Sequence, residues 1–292
     1  MGSGARSGVW IRAFWPMRCS RVTSLRFEGS LLIMLSASAV ALDLTHVSWR
    51  NESGALQYFY DDTRISPWHD IPFTLGSDES GTMLLSFVCE IPLLSREKVE
   101  IHKSLPFNPL QQDVHKNGSL RTYVYSSSIV NYGAIPQTWE DPARPDADTG
   151  LGGDNDPIDV LQLNEAPCKR GAIQRVRVLG ALALIDSGET DWKLLVVDVD
   201  DAAAPPWRDV TDIPTARVEK IREWFRVYKT AEGKPLNEYG LGGRAVDAEH
   251  ALSVAKVTHE HWVEVRQGDI SCDFNGIPCW LGYSHSLPHD EL

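Results

Sequence analysis

The sequence predicts a mainly β domain with flanking helices late in the chain, and three observations carry that prediction. Apolar runs rich in strand-forming residues recur at Leu84–Ile91, Val176–Ile185 and Leu194–Val199, each bounded by turn residues. Lys98-Val99-Glu100-Ile101-His102 alternates polar and apolar, the period of a half-buried strand. Helical spacing appears only near the end, over about Pro214–Phe225 and about Ala245–Val265, where Ala248, Leu252, Ala255 and Trp262 form one apolar stripe. No internal repeat or low-complexity linker is visible, so residues 42–266 read as one domain and 267–292 as a tail.

The first stretch in order stands outside that domain. Arg6, Arg12, Arg18, Arg21 and Arg26 precede the first acid, Glu28, and an apolar run then extends from Leu31 to Leu42. Ala39-Val40-Ala41 supplies an A-x-A cleavage pattern, so residues 1–41 read as a secretory leader. The run is too short to cross a bilayer comfortably, and no membrane span is expected once it is removed. A basic, acid-poor leader also suits a transit peptide, which leaves mitochondrion or cytoplasm as the alternative address. The chain closes on His289-Asp290-Glu291-Leu292, an endoplasmic-reticulum retention signal. The two ends together predict the ER lumen, and sequons at Asn51 and Asn117 are compatible with it. Cys19 would leave with the leader. The remaining Cys89, Cys168, Cys272 and Cys279 contain no C-x-x-C pair and make no zinc pattern. Cys272 and Cys279 are spaced either to close a small loop in an oxidising compartment or to stay free thiols.

The full chain has 292 residues, ample for a core, and carries 28 basic against 40 acidic residues, a formal charge of −12. That balance argues against nucleic acid as a general partner. An acidic protein that handles an anion must gather its few cations at one place.

Within the body, Ser66–Pro72 is a proline-bracketed loop and Pro92 breaks the first long apolar run. Lys98 and Glu100, two apart on a strand, share a face. His115-Lys116-Asn117-Gly118 is a hairpin-type turn, after which Leu120–Tyr125, carrying Arg121, reads as strand. Asn131–Pro142 is a loop rich in turn formers that leads to Gly153-Asp154-Asn155-Asp156-Pro157-Ile158-Asp159. There, three carboxylates fall in one short turn behind Gly152 and Gly153, which are expected to let the backbone bend. Carboxylates so close repel one another unless a cation sits among them, and hard oxygen ligands suit Mg²⁺ or Mn²⁺. Asp186–Lys193 reads as a hairpin that returns Asp186 towards Asp191, with Asp191 and Lys193 on one face. Pro205-Pro206 is a break, and Trp224–Lys229 joins the two helices.

Polar residues that interrupt apolar strands form a set: Glu90, Lys98, Glu100, Arg121, Tyr132, Asp154, Asp156, Asp159, Asp186, Asp191, Lys193, Tyr228 and Lys229. Unpaired charge in a core is costly, whereas acids for divalent metals and Lys, Arg and Tyr for phosphate oxygens satisfy one another around a metal–phosphate ligand. In these motifs the sequence resembles the family I soluble inorganic pyrophosphatases, eukaryotic branch, from about Ser66 to Val265. The resemblance rests on Ser66–Pro72, Glu90-Ile91-Pro92, Lys98-x-Glu100, Asn131–Pro142, Gly153–Asp159, Asp186–Lys193 and Trp224–Lys229, in that order.

The resemblance implies an OB-like five-stranded β-barrel, a homodimer, and hydrolysis of inorganic diphosphate to two phosphates with three or four Mg²⁺ ions. It assigns Asp154, Asp159 and Asp191 to the metals that activate water, and Asp186 and Glu100 to those arriving with substrate. Asp156 would accept or orient the nucleophile's proton, and Glu90 would tune the site from behind. Arg121, Lys98, Tyr132, Tyr228, Lys229 and Lys193 would neutralise the phosphoryl groups, with Tyr132, Lys98, Arg121 and Lys193 also counted as catalytic. Two positions depart from the family: Ser128 stands where a second tyrosine is usual, with Tyr125 as a substitute nearby, and Ser187 replaces an acid beside Asp186.

Two other functions compete. A metal-dependent glycosyltransferase would use Asp154-x-Asp156 or Asp198-x-Asp200, but the chain lacks the strand–helix alternation of a nucleotide-binding sheet. A calcium-binding ER protein would place Asp154, Asp156 and Glu165 at the first, third and last ligand positions of an EF-hand. Ile158 and Asp159 break that loop, and helices are not expected on either side.

Overall fold

The structure is a computed structural model that describes residues 42–282. The expected leader and the terminal tetrapeptide lie outside the described residues. In chain order the strands are β1 (Val47–Glu52), β2 (Ala55–Tyr60), β3 (Thr63–Ile65), β4 (Thr74–Ser77), β5 (Met83–Ile91) and β6 (Val99–Ile101). Then follow β7 (Leu110–Gln112), β8 (Asn131–Ala134), β9 (Asp159–Gln162), β10 (Ile173–Asp186), β11 (Glu189–Asp198) and β12 (Glu238–Tyr239). The helices are α1 (Thr215–Val227) and α2 (Ala248–Gln267).

Five strands close on themselves. β10 pairs with β11, β11 runs parallel to β9, β9 pairs with β8, β8 with β5, and β5 returns to β10. β4 and β12 extend this ring, and a second sheet with β1, β2, β7 and β6 in line, β3 added on β2, lies beside it. Closure leaves none of the five ring strands with an open edge. This is the five-stranded OB-type barrel.

The apolar runs are continuous because the strands are covered on both faces. Along β10, Ala181 and Ala183 join the cluster with Ala251, Val254 and Ala255 of α2. Leu182 and Leu184, on the other face, join the cluster with Ile221, Trp224 and Phe225 of α1. Burying those three α1 side chains contributes roughly 1.5–3 kcal/mol each. α2 starts later than its apolar pattern suggests because Asp247 caps it, accepting from the His250 N–H at 2.9 Å, and Gly268 ends it in the left-handed region.

Two expectations are corrected, on the Leu120–Tyr125 strand and on the glycines before the acid turn. Leu120–Tyr125 forms no strand; it is held by isolated bridges, Val114–Leu120 and Glu97–Thr122, and by single backbone bonds to Arg96, Lys98 and Asp113, because it lies outside the ring with no continuous partner. The 186–193 hairpin forms as expected, with a two-residue turn, Ser187-Gly188, both at positive φ; Asp186 opposes Glu189 and Asp191 opposes Leu184, and both acids line one cavity. Gly152 and Gly153 do not supply positive φ; Asn155 does, at 70°. The glycines are needed for close approach instead, since a Cβ on Gly153 would lie 2.4 Å from the Glu140 carbonyl carbon. After α2, residues 268–282 fold back on the second sheet.

All four described cysteines are paired. Cys89 of β5 is bonded to Cys168, 79 residues on, in the loop before β10. Cys272 and Cys279 close the short loop after α2.

Candidate active site

The Gly153–Asp159 turn is buttressed by the Asn131–Pro142 loop. Trp139 donates its indole N–H to the Asn155 side chain (2.9 Å), the Glu140 and Asn155 amides bond to Asp156 and Glu140 carbonyls, and Thr138 Oγ1 accepts from the Ile158 amide. Asp154 Oδ1 accepts from the Asp156 amide at 3.0 Å, which fixes the relation between those two acids. The turn feeds straight into β9, so Asp159 is both the last turn acid and the first strand residue.

Strand register does the rest. In the parallel β9–β11 pair Asp159 lies opposite Lys193, and Asp191 lies two residues earlier on the same face of β11. Lys193 Nζ bonds Asp191 Oδ1 at 2.6 Å and also bonds Asp159 Oδ2. Tyr132 on β8 stands within 5.3 Å of the same ammonium, centroid to nitrogen. A cavity of about 220 Å³ opens here, walled by Glu90, Lys98, Glu100, Tyr132, Asp154, Asp156, Asp159, Asp186, Asp191, Lys193, Tyr228 and Lys229. Arg121 alone of the predicted set is not in the wall. It pairs with Asp113 at 2.6 Å, and Asp113 in turn lies 3.8 Å from Lys98.

The carboxylates of the floor are held in excess of their cations. Burial raises the proton affinity of Asp154, and Asp191, Asp156 and Asp159 raise it further. Burial does the same to Asp159, only partly offset by Lys193. Glu90, fully enclosed and accepting from the Ile101 amide, is pushed up by burial, then by Glu100 and Asp159. Burial alone would weaken the Lys193 ammonium, but Asp159 and Asp191 raise its pKa well above the usual lysine value. At the rim, burial is outweighed the other way: Lys229 holds Asp186 below the ordinary carboxylate range.

One acid was not foreseen. Glu140 is buried, Oε1 accepts from the Trp192 amide, and Oε2 has no partner. Its carboxylate lies with those of Asp154 and Asp191, ligand atoms all within 4.8 Å of one another. An orphaned buried carboxylate oxygen beside two mutually repelling acids fits a bound divalent cation. The only hint in the sequence was its place in the Asn131–Pro142 motif. Tyr123 was missed as well: it lines the cavity, packed edge-on to Trp224 and Tyr228, whereas Tyr125 is exposed. Ser128 is buried and bonds the Val130 carbonyl, away from the cavity, and Ser187 bonds Asp186.

A family model of inorganic pyrophosphatase matches residues 87–263. The inorganic pyrophosphatase of Homo sapiens is 44% identical over 220 residues, covering 73% of this chain and 71% of its own length. The soluble inorganic pyrophosphatase 1 of Chlamydomonas reinhardtii, a chloroplastic protein, is 42% identical over 207 residues, 70% of this chain and 71% of that one. Among solved structures, the type I inorganic pyrophosphatase of Toxoplasma gondii superimposes with a TM-score of 0.70 at 37% identity, over 75% of this chain and 98% of that one. With its closed barrel, its acid turn and its lysine- and tyrosine-lined cavity, the chain belongs to the inorganic pyrophosphatase family, in the eukaryotic branch of its soluble enzymes.

Proposed function

We propose that this cavity hydrolyses inorganic diphosphate to two phosphates with Mg²⁺, in three or four sites. The observation that carries the reading is the pairing, in one cavity, of an under-compensated carboxylate floor with a wall of Lys98, Lys193, Lys229, Tyr132 and Tyr228. Asp154, Asp159 and Asp191, with Glu140 behind them, would hold the cations of the floor, and Asp186 and Glu100 those that enter with substrate. The bound cations would supply Lewis acidity, lowering the proton affinity of a water and stabilising charge on phosphoryl oxygens.

The chain's own residues do the remaining work. Asp156, partly exposed at the mouth of the turn, takes or orients the proton of the attacking water. Lys193 keeps its charge at any working pH, so it can leave its carboxylates for a phosphoryl oxygen without a proton transfer. Lys98, Lys229, Tyr132 and Tyr228 meet the developing charge on the leaving phosphate, and Arg121 acts through Asp113 and Lys98. Phosphate release from diphosphate by the purified chain with Mg²⁺ tests the reading; no release above background would overturn it. The glycosyltransferase and calcium-protein alternatives are not favoured: the acid turn leads into a barrel strand, not a nucleotide-binding sheet or a helix pair.

The same proposal extends to the setting of the enzyme: a homodimer, in the ER lumen. The location is supported by the two ends of the chain, by the two disulfides, and by the exposure of Asn51 and Asn117. A fluorescent protein inserted after residue 50, with and without the last four residues, should be retained in the first case and secreted in the second. A cytosolic or organellar signal in both would overturn it. Sedimentation of the purified chain checks the dimer.

A further inference from the structure

Beyond the end of the family match, the chain touches Lys103, a residue inside the match whose side chain reaches the acid turn. Lys103, just after β6, stretches its side chain to the Gly153–Asp159 turn, where Nζ lies 2.7 Å from Asp156 Oδ1 and also bonds the Asn155 carbonyl. The lysine side chain is 15% exposed. Lys193, the other ammonium at the turn, is already engaged by Asp159 and Asp191.

The backbone of Lys103 is held from the opposite side. Its carbonyl accepts from the Trp280 amide at 2.9 Å and from the Asn108 side chain at 2.8 Å. Trp280 is itself clamped. Its carbonyl accepts from Asn108 at 3.2 Å and pairs with His69 Nε2 at 3.0 Å, and its ring packs on Phe107 with centroids 4.8 Å apart. His69 Nδ1 accepts from the Trp262 indole, which places the proton on Nε2 and makes it the donor to Trp280. Ser104 donates to the Pro278 carbonyl, and the loop carrying these groups is closed by Cys272–Cys279, with Cys272 buried.

We propose that Lys103 is a positioning residue for Asp156, and that the disulfide-closed C-terminal segment sets the place of Lys103. Asp156 feels like charges on Asp154 and Glu189, so a carboxylate without a fixed cation would swing outward. Lys103 supplies that cation and leaves the second carboxylate oxygen free for the water. Binding of diphosphate makes no use of Lys103, which lies off the cavity wall. The proposal rests on the diphosphatase reading for the role of Asp156, but its geometric claim stands on its own.

The experiment combines kinetics with amide exchange on the Mg²⁺-loaded protein. Lys103→Met should lower kcat about tenfold with KM within about twofold, and Lys103→Arg should restore most of it. In an Asp156→Asn background Lys103→Met should add less than about twofold, because the group it positions is gone. Cys272→Ser with Cys279→Ser should lower kcat roughly threefold, and add nothing to Lys103→Met. The cysteine variant should also speed exchange over residues 101–108 and over 153–158, and in Lys103→Met the second region should already be fast. Full additivity of Lys103→Met with Asp156→Asn, or faster exchange confined to the tail, would overturn the proposal. A wild-type chain that releases no phosphate would count against the diphosphatase reading alone, and the exchange measurements would still decide whether the segment reaches the turn.

Discussion

The floor and the rim of the cavity are built from the same residue types and compensated in opposite ways. On the floor, among the described residues, the cations paired with the acids Glu140, Asp154, Asp156, Asp159 and Asp191 are Lys193 and Lys103. At the rim Glu100 and Asp113 share Lys98 and Arg121, and Asp186 has Lys229. Glu140, Asp154 and Asp159 accordingly bind protons more tightly than usual, burial first, with repulsion from neighbouring acids adding to it. Asp186 and Asp113 bind them less tightly, their cations overcoming burial. The floor has the chemistry of a cation site, whereas the rim balances its own charge.

Four experiments sharpen or break that contrast, in falling order of effect. Chelation of divalent metal should reduce turnover to background, Mg²⁺ should restore it, and Ca²⁺ should not, since it accepts looser shells and polarises water less. Equal turnover with Ca²⁺ would mean the floor is not selecting compact coordination. Asp156→Asn should fold normally, lose ~10²–10⁴-fold in kcat and keep most of its substrate affinity. A large KM change with kcat intact would move Asp156 from floor to rim. Arg121→Met should do the reverse, raising KM about tenfold with kcat nearly unchanged, because a charge-assisted contact is lost where charge is already balanced.

The smallest effect concerns stability. Glu90 binds its proton more tightly in the fold than at its ordinary pKa of 4.5, so the folded chain holds the extra proton and loses stability as pH rises above that value. Glu90→Gln keeps the acceptor for the Ile101 amide and removes the charge. In metal-free protein at pH 8 it should therefore melt ~2–4 °C higher for each kcal/mol regained, with the gain shrinking towards pH 5. Thermal unfolding across that range checks the sign; an unchanged or lower melting point at pH 8 would show that the fold does not raise the proton affinity of Glu90.

What the sequence made legible follows the reach of each interaction. The acid turn, the Lys98–Glu100 face and the Asp191–Lys193 face are local, set by spacing on a turn or strand, and all of them line the cavity. Residues brought in from a distance were harder. The role of Glu140 depends on the Trp192 amide 52 positions away, and Lys103 acts on a turn as far along the chain. Cys89 and Cys168 lie on different elements with no spacing to suggest a pair. Treating Leu120–Tyr125 as a strand puts Tyr123 and Tyr125 on one face, but the segment has no continuous partner, and one ring enters the cavity while the other stays in solvent. The glycines before the acid turn were expected for flexibility, and the structure uses them for contact distance.

Barrel closure also imposes an order of assembly. β5 can pair with β4 and β8 along one edge once the chain to about residue 134 exists, but the other edge, over Leu85–Val88, must wait for β10. That last pairing joins segments far apart in sequence, so its loop-closure entropy is lost before any contact returns it, and such steps are slow. The Cys89–Cys168 bond lies on the same seam, where the Gly171 amide bonds the Cys89 carbonyl at 2.7 Å. Once that bond forms, β10 begins only a few residues from the strand it must find. Oxidation of a nascent chain before closure turns a long-range search into a short one, and a chain kept reduced must find the seam by diffusion alone.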